Sequence, residues 1–179
     1  RLLVELKTDA WTSVHDLAED ALQLVRDQFD GFDGAPVIET SIDVDRNLDV
    51  SVPRHRLTQV LGNVIRNAFE AIDKKGRVTI KATAMEDRVV IDVTDTGCGI
   101  AEKDQAIVFV GGKSTKRGVR RGPLENTGWG LTTARGVVDD CGGSIDIKST
   151  EGKGTTVSIA LPRALADTDR DDDEDEDAA

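Results

Sequence analysis

Two cysteines in 179 residues, Cys98 and Cys141, lack metal-site spacing, and a single pair frames no disulfide scaffold. Reduced thiols in a cytosolic protein are the expectation. The chain has no apolar run near the ~20 residues that a spanning helix needs, and no signal-peptide pattern opens it. A soluble, cytoplasmic domain without membrane contact of its own is expected, any anchor or sensor segment of a larger parent lying upstream. Positive charge is also scarce: the formal net charge is −11, of which Asp167 to Asp177 carries −8 and the remainder −3. A nucleic-acid binder needs a basic surface that releases counterions, so nucleic acid is not an expected partner. The two commonest phosphate cradles are missing too. There is no Gly-x-x-x-x-Gly-Lys-[Ser/Thr] loop, and no strand followed by Gly-x-Gly-x-x-Gly opening a helix. No internal repeat occurs, and the length suits one domain with a sizeable core.

What is present is a set of alternating short patterns. From Trp11 to Phe29, Val14, Leu17, Ala18, Ala21, Leu22, Leu24, Val25 and Phe29 recur at helical spacing, and Gly31 and Gly34 follow. Val37–Val44 and Leu48–Val52 are β-rich and flank Asp45-Arg46-Asn47, which predicts a hairpin. Pro53 suits the first turn of a helix running to about Asp73. On its wheel Leu57, Val60, Leu61, Val64, Ile65, Ala68 and Phe69 share one arc, while Arg56, Gln59, Asn63, Arg66, Asn67 and Glu70 share the other. Lys75-Gly76 reads as a turn. Val78–Ala84 and Arg88–Val93 read as a hairpin about Glu86-Asp87. A short helix is expected from about Ala101 to Phe109, another from Gly130 to Asp140, and a last hairpin from Ser144–Ser149 and Thr155–Leu161. Hairpins alternating with single helices predict an α+β, two-layer α/β sandwich, with helices packed on one face of a mixed, mostly antiparallel sheet.

Four pieces of this pattern could carry chemistry. Gly111 to Asn126 is a long loop rich in glycine, lysine and arginine, able to approach an anion closely and to supply positive charge. Gly128 precedes a helix start, where unpaired N–H groups favour phosphate. Asn67 could give magnesium one amide oxygen, since that ion keeps several waters and takes its other ligands from phosphates. Asp95 stands where a strand meets Gly97-Cys98-Gly99-Ile100, a position that can aim a hydrogen-bond acceptor into a cavity. Taken singly, each piece is equally an exposed helix face, a surface loop or an ordinary turn aspartate.

Their order is more specific. Gln59 to Ala68 with Asn63 and Asn67, Asp95 to Ile100, Phe109 with Lys113-Ser114-Thr115-Lys116, Gly128-Trp129-Gly130-Leu131 and Gly154-Thr155-Thr156 together resemble the ATP-binding (Bergerat) domain shared by gyrase, the heat-shock chaperone, histidine kinases and the mismatch-repair ATPase. Within that superfamily the set looks most like the catalytic domain of a two-component sensor histidine kinase. The resemblance spans about Leu17 to Pro162. It implies ATP and Mg²⁺ as cofactors, with Asn67 as metal ligand and Asn63 in support. It implies that Asp95 accepts a hydrogen bond from the adenine amino group, with Gly97, Gly99 and Ile100 shaping the base pocket and Thr155 beside it. Gly128, Trp129, Gly130 and Leu131 would frame the triphosphate, Lys116 would reach toward it, and Gly111–Asn126 would be a lid. Residues 1–10 would then be a linker from an upstream helical domain, 11–163 the catalytic domain and 164–179 a disordered acidic tail.

Departures from the family pattern sharpen this reading. Superfamily members that hydrolyse ATP carry a glutamate four residues before the metal asparagine. Here that residue is Asn63, and an amide cannot act as a general base. Transfer of the phosphoryl group is therefore expected over hydrolysis. Glu70-Ala71 replaces a frequent Lys-Tyr pair, which removes a cationic phosphate contact from that turn. His15 and His55 lack the context of a phosphoacceptor and read as surface or boundary residues. The implied partners are a histidine-bearing dimerisation domain of a homodimeric parent and a downstream response regulator. Two other readings stay open: a free-standing serine kinase of the anti-sigma type, and a module that senses ATP without transferring it.

Overall fold

The computed structural model describes residues 11–31, 34–111 and 128–164. The expected linker (1–10), most of the expected lid (112–127) and the acidic tail (165–179) lie outside the described residues. In chain order the first elements are β1 (Thr12–Ser13), α1 (Val14–Phe29), β2 (Val37–Asp43), β3 (Asp49–Val50) and α2 (Arg54–Ala71). Then come β4 (Lys75–Ala84), β5 (Arg88–Asp95), α3 (Glu102–Gln105), α4 (Gly130–Asp140), β6 (Ser144–Thr150) and β7 (Gly154–Pro162). No helix among the described residues is long and apolar enough to cross a membrane.

The main sheet has the order β2-β4-β5-β7-β6, with β2 parallel to β4 and every other neighbour antiparallel. Side chains alternate across a pleated strand, so each strand offers two different faces. One face presents Val78, Ile80, Val89, Ile91, Val93, Val157, Ile159 and Leu161, all buried. The other carries a polar ladder: Ser41 donates to Thr79, Thr94 shares a hydrogen bond with Thr156, and Ser158 donates to Asp92 at 2.6 Å. An antiparallel sheet tolerates this division because only one of its faces must be covered by helices.

The helices supply that cover. Ser13 caps α1 by accepting from the Asp16 N–H, and Val14, Leu17, Ala18, Ala21 and Val25 are buried along one stripe. The carbonyl of Pro53 accepts from the N–H groups of Arg56 and Leu57, so the proline opens α2 where its own missing N–H is not needed. Leu57, Leu61 and Ile65 are wholly buried on α2, and Phe69 meets Phe29 of α1 with ring centroids 5.3 Å apart. Both α1 and α4 pack against α2. The central helix is thereby covered on two flanks, and its polar arc, exposed at Gln59, turns inward from Asn63 to Glu70. Glu70 is buried, and Asn63, Arg66 and Asn67 are half-buried.

Three expectations need correction. The turn at Asp45 forms, with the Asn47 N–H donating to the Asp45 carboxylate at 2.8 Å, but β2 and β3 do not pair. β2 lies parallel to β4, and β3 pairs antiparallel with β1 through Thr12 opposite Val50. Leu48, Val50 and Val52 gain more by burial under the start of α1 than they would along an edge strand. Lys75-Gly76 is not a turn but the start of β4. Its glycine permits close approach, since a Cβ there would lie 2.9 Å from Thr96 Oγ1 and 3.0 Å from Ile72. The helix expected over Ala101–Phe109 is only Glu102–Gln105, continued by i→i+3 turns that end with the Val110 N–H donating to Ile107.

Gly136 sits in α4, exposed, with no positive φ and nothing described within 4 Å of where a Cβ would stand. Gly136→Ala is expected to stabilise the domain by about 0.5–1 kcal/mol, through helix propensity and a less flexible unfolded chain. Urea denaturation checks this as a raised midpoint at unchanged slope.

Candidate nucleotide site

Asp95 is the last residue of β5 and is buried, with Oδ1 accepting from the Gly97 N–H at 2.7 Å. This Asx-type contact fixes the carboxylate at the mouth of the turn. The turn is held from below by α2, because the Cys98 N–H donates to the Ala71 carbonyl at 2.9 Å. Gly97 is required by that contact, since a Cβ would fall 2.6 Å from the Ala71 backbone. Gly99 has φ +65°, and a Cβ on it would meet the Thr150 carbonyl at 2.1 Å. The glycines expected to shape a base pocket are therefore demanded by packing.

Thr155 lies opposite Asp95 in the β5–β7 register and is buried. Between them and the turn sits a hub that the sequence did not disclose, Ser149 of β6. Its Oγ accepts from the Ile100 N–H at 2.8 Å, donates to the Gly154 carbonyl at 3.0 Å and shares a 2.9 Å hydrogen bond with Thr155 Oγ1. Gln105 of α3 adds Nε2 bonds to the carbonyls of Ile100 and Ser149. A serine at a strand end carries no signal of its own; only the tertiary pairing of β6 with β7 beside the turn gives it this position.

The second half of the site lies on α2 and α4. Asn63 Oδ1 accepts from Arg66 Nη2 at 3.2 Å, and Arg66 Nε is buried without a hydrogen-bond partner. The sequence predicts no cation at the Glu70 turn, yet Arg66 places a half-buried guanidinium beside the asparagines. Gly130 opens α4 directly against them: a Cβ there would be 3.7 Å from Asn67 Nδ2 and 3.9 Å from Asn63 Cβ. The residue before it, Trp129, makes no side-chain cap, and the first turn of α4, where helix N–H groups lack intrahelical partners, opens at this corner. Gly128 takes φ +72° to deliver the chain into that start.

The ends of the expected lid meet. Gly111 packs under Trp129, since a Cβ on Gly111 would stand 2.3 Å from Cζ3 of the indole. Phe109 is fastened to α4 from two sides, its carbonyl accepting from Thr132 Oγ1 at 3.1 Å and its ring lying 5.2 Å under the Arg135 guanidinium. Gly111 and Trp129, on either side of residues 112–127, thus stand next to one another. Leu131 is half-buried against the core on α4. Lys116 lies outside the described residues. The structure therefore gathers Asp95, Gly97, Gly99, Ile100 and Thr155 at one end of the sheet, and Asn63, Asn67, Gly128, Trp129 and Gly130 between α2 and α4.

Paired amides, a half-buried guanidinium and the start of a helix fit a phosphate-bound Mg²⁺, which takes oxygen ligands and tolerates few from the protein. Such a corner on a two-layer α+β fold is the arrangement that an ATP-binding domain of the kinase and ATPase class would need. The model of the family described as histidine kinase-, DNA gyrase B-, and HSP90-like ATPase matches residues 53–165, and the chain belongs to that family. Among curated relatives it is 41% identical over 108 residues to the sensor histidine kinase ZraS of Salmonella typhi, covering 60% of this chain and 22% of that protein. It is 35% identical over 156 residues to the virulence sensor protein BvgS of Bordetella bronchiseptica, covering 84% of this chain and 12% of that protein. The chain thus spans less than a quarter of either relative. Among solved structures, the mycobacterial sensor histidine kinase MprB superposes with a TM-score of 0.71 at 22% identity, covering 86% of this chain and 96% of that one. Full-length ShkA in complex with AMPPNP superposes with a TM-score of 0.72 at 24% identity, covering 88% and 31%. These likenesses bear out the expected family and the two-layer fold with a mostly antiparallel sheet.

Proposed function

We propose that this domain binds Mg·ATP and donates the γ-phosphoryl group to a histidine on a helical dimerisation domain of a homodimeric parent, from which a response regulator would receive it. The observation that carries the reading is the seating of Gly130 against Asn63 and Asn67, which joins the helix start to the paired amides in one corner. ATP supplies the transferable group, and Mg²⁺ offsets the charge on its phosphates. Asn67 would offer the metal an amide oxygen, with Asn63 and Arg66 beside it. The first-turn N–H groups of α4 would face the phosphates. Asp95 would read the adenine amino group, its carboxylate held in place by Gly97, with Thr155 and the Ser149 hub backing that wall. Lys116 and the rest of the loop would close over the phosphates.

Asn63 supports transfer over hydrolysis. An amide at that position cannot take a proton from water, so the domain is left with positioning and charge neutralisation. The test is a two-component assay. With labelled ATP the domain should bind nucleotide in the presence of Mg²⁺ without labelling itself, and should label a separately produced helical domain at its histidine. Labelling of a serine on an added protein would instead support the anti-sigma type of kinase. Nucleotide binding with no labelled partner would support a sensor.

A further inference from the structure

Among the described residues, one group of three metal-ligating side chains lies away from the nucleotide site: His15, Asp16 and Glu19 at the start of α1. The sequence predicts His15 at a surface or boundary. The structure buries it, with a side chain 10% exposed and the Nδ1 atom sealed from solvent. Nδ1 has no hydrogen-bond partner, although it points at two carboxylates. Asp16 Oδ1 is 3.5 Å away and Glu19 Oε2 is 3.7 Å away, too far for good hydrogen bonds. A buried ring nitrogen that faces two acceptors without bonding either is an unsatisfied group that calls for an occupant.

The separations describe that occupant. Ligands at about 2.0–2.1 Å from a tetrahedrally coordinated ion stand roughly 3.3 Å from one another. The three donor atoms here lie within 4.8 Å of one another, and the two nitrogen–oxygen edges are within a few tenths of an ångström of that value. Asp16 and Glu19 are 61% and 54% exposed, so their side chains can close the small remaining gap and water can complete the shell. A helix N-terminus by itself repels a cation. Two carboxylates on the first turns more than offset this repulsion.

We propose that His15, Asp16 and Glu19 form a binding site for a divalent transition-metal cation of the zinc, cobalt or nickel kind. One imidazole nitrogen with two carboxylate oxygens suits these ions, whereas magnesium prefers a shell made wholly of oxygen. The site joins one turn of α1 to the next through the i, i+4 pair His15 and Glu19. It fastens the helix start immediately after residues 1–10 and uses no residue of the nucleotide corner.

The test uses the full 179-residue chain without nucleotide, in millimolar Mg²⁺ to occupy the acidic tail. Titration with Co²⁺ should give one ligand-field absorption step per chain, displaced by Zn²⁺, and Zn²⁺ should raise the melting temperature. Glu19→Gln and Asp16→Asn, both exposed changes that leave the core intact, should each weaken Co²⁺ binding at least ~10-fold, while leaving ATP affinity unchanged. His15→Gln should remove the step. Absence of the step in the unaltered chain would overturn the proposal. So would a step that survives unchanged in Glu19→Gln and Asp16→Asn, because the ion would then sit on the tail, His55 or the cysteines.

Discussion

Asn67→Ala is expected to lower phosphoryl transfer by roughly 10²–10³-fold, the scale seen when one preorganised contact to a reacting group is removed. Asn67 is half-buried on α2, faces the start of α4 and stands beside Arg66 and Asn63. Alanine deletes the amide oxygen assigned to the metal and leaves every core contact of α2 in place. Fold stability should change little, because alanine is the better helix former and this offsets the loss of the further interaction that Asn67 makes. Calorimetric titration with a non-hydrolysable ATP analogue, with and without Mg²⁺, separates the two effects. The Mg²⁺-dependent part of the affinity should vanish while thermal unfolding stays the same. Asn67→Asp keeps an oxygen but adds negative charge beside the phosphates, so it should fall between the two. Wild-type Mg²⁺-dependent affinity in Asn67→Ala would remove the residue from the metal site.

Gly154→Ala is expected to destabilise the domain by about 3 kcal/mol or more, with loss of nucleotide affinity in step. Two costs combine. Gly154 has φ +124°, a backbone region that other residues adopt only under strain. The added carbon would also lie 2.0 Å from the Asp95 carbonyl oxygen and 3.0 Å from Thr96 Cα, which are backbone atoms and cannot swing aside. Relief requires β7 to move off β5 at the Asp95–Thr155 pair, and that also breaks the Ser149 bond to the Gly154 carbonyl. For a domain of this length the melting temperature should drop by roughly 6–12 °C. Gly152→Ala is the control. That residue has φ +77° with nothing described within 4 Å, so only the conformational cost of about 1 kcal/mol applies. Equal melting temperatures for the two variants would contradict the close approach of β7 to β5.

The parts of this fold legible in the sequence are those written in local periodicity. The apolar stripes of α1, α2 and α4 fall where the helices form, and Met85 closes the β4–β5 hairpin by donating to Arg88, about the expected Glu86-Asp87 turn. The candidate site was legible for a related reason. Close backbone approaches at Gly97, Gly99 and Gly154 leave their mark as glycines at fixed spacing, whichever strands later enclose them.

The sequence by itself determined where α1, α2 and α4 fall, the class of the fold and the glycines of the Asp95 turn, because each rests on contacts within a few residues or on a backbone only glycine allows. Tertiary structure alone decided which strand pairs with which, so that β2 runs parallel to β4 while β3 joins β1. It also decided that Glu70 and His15 are buried, that Arg66 stands by the asparagines and that Ser149 braces the turn after Asp95. Those outcomes depend on partners distant in sequence, brought together by burial of apolar surface that no short window of residues contains.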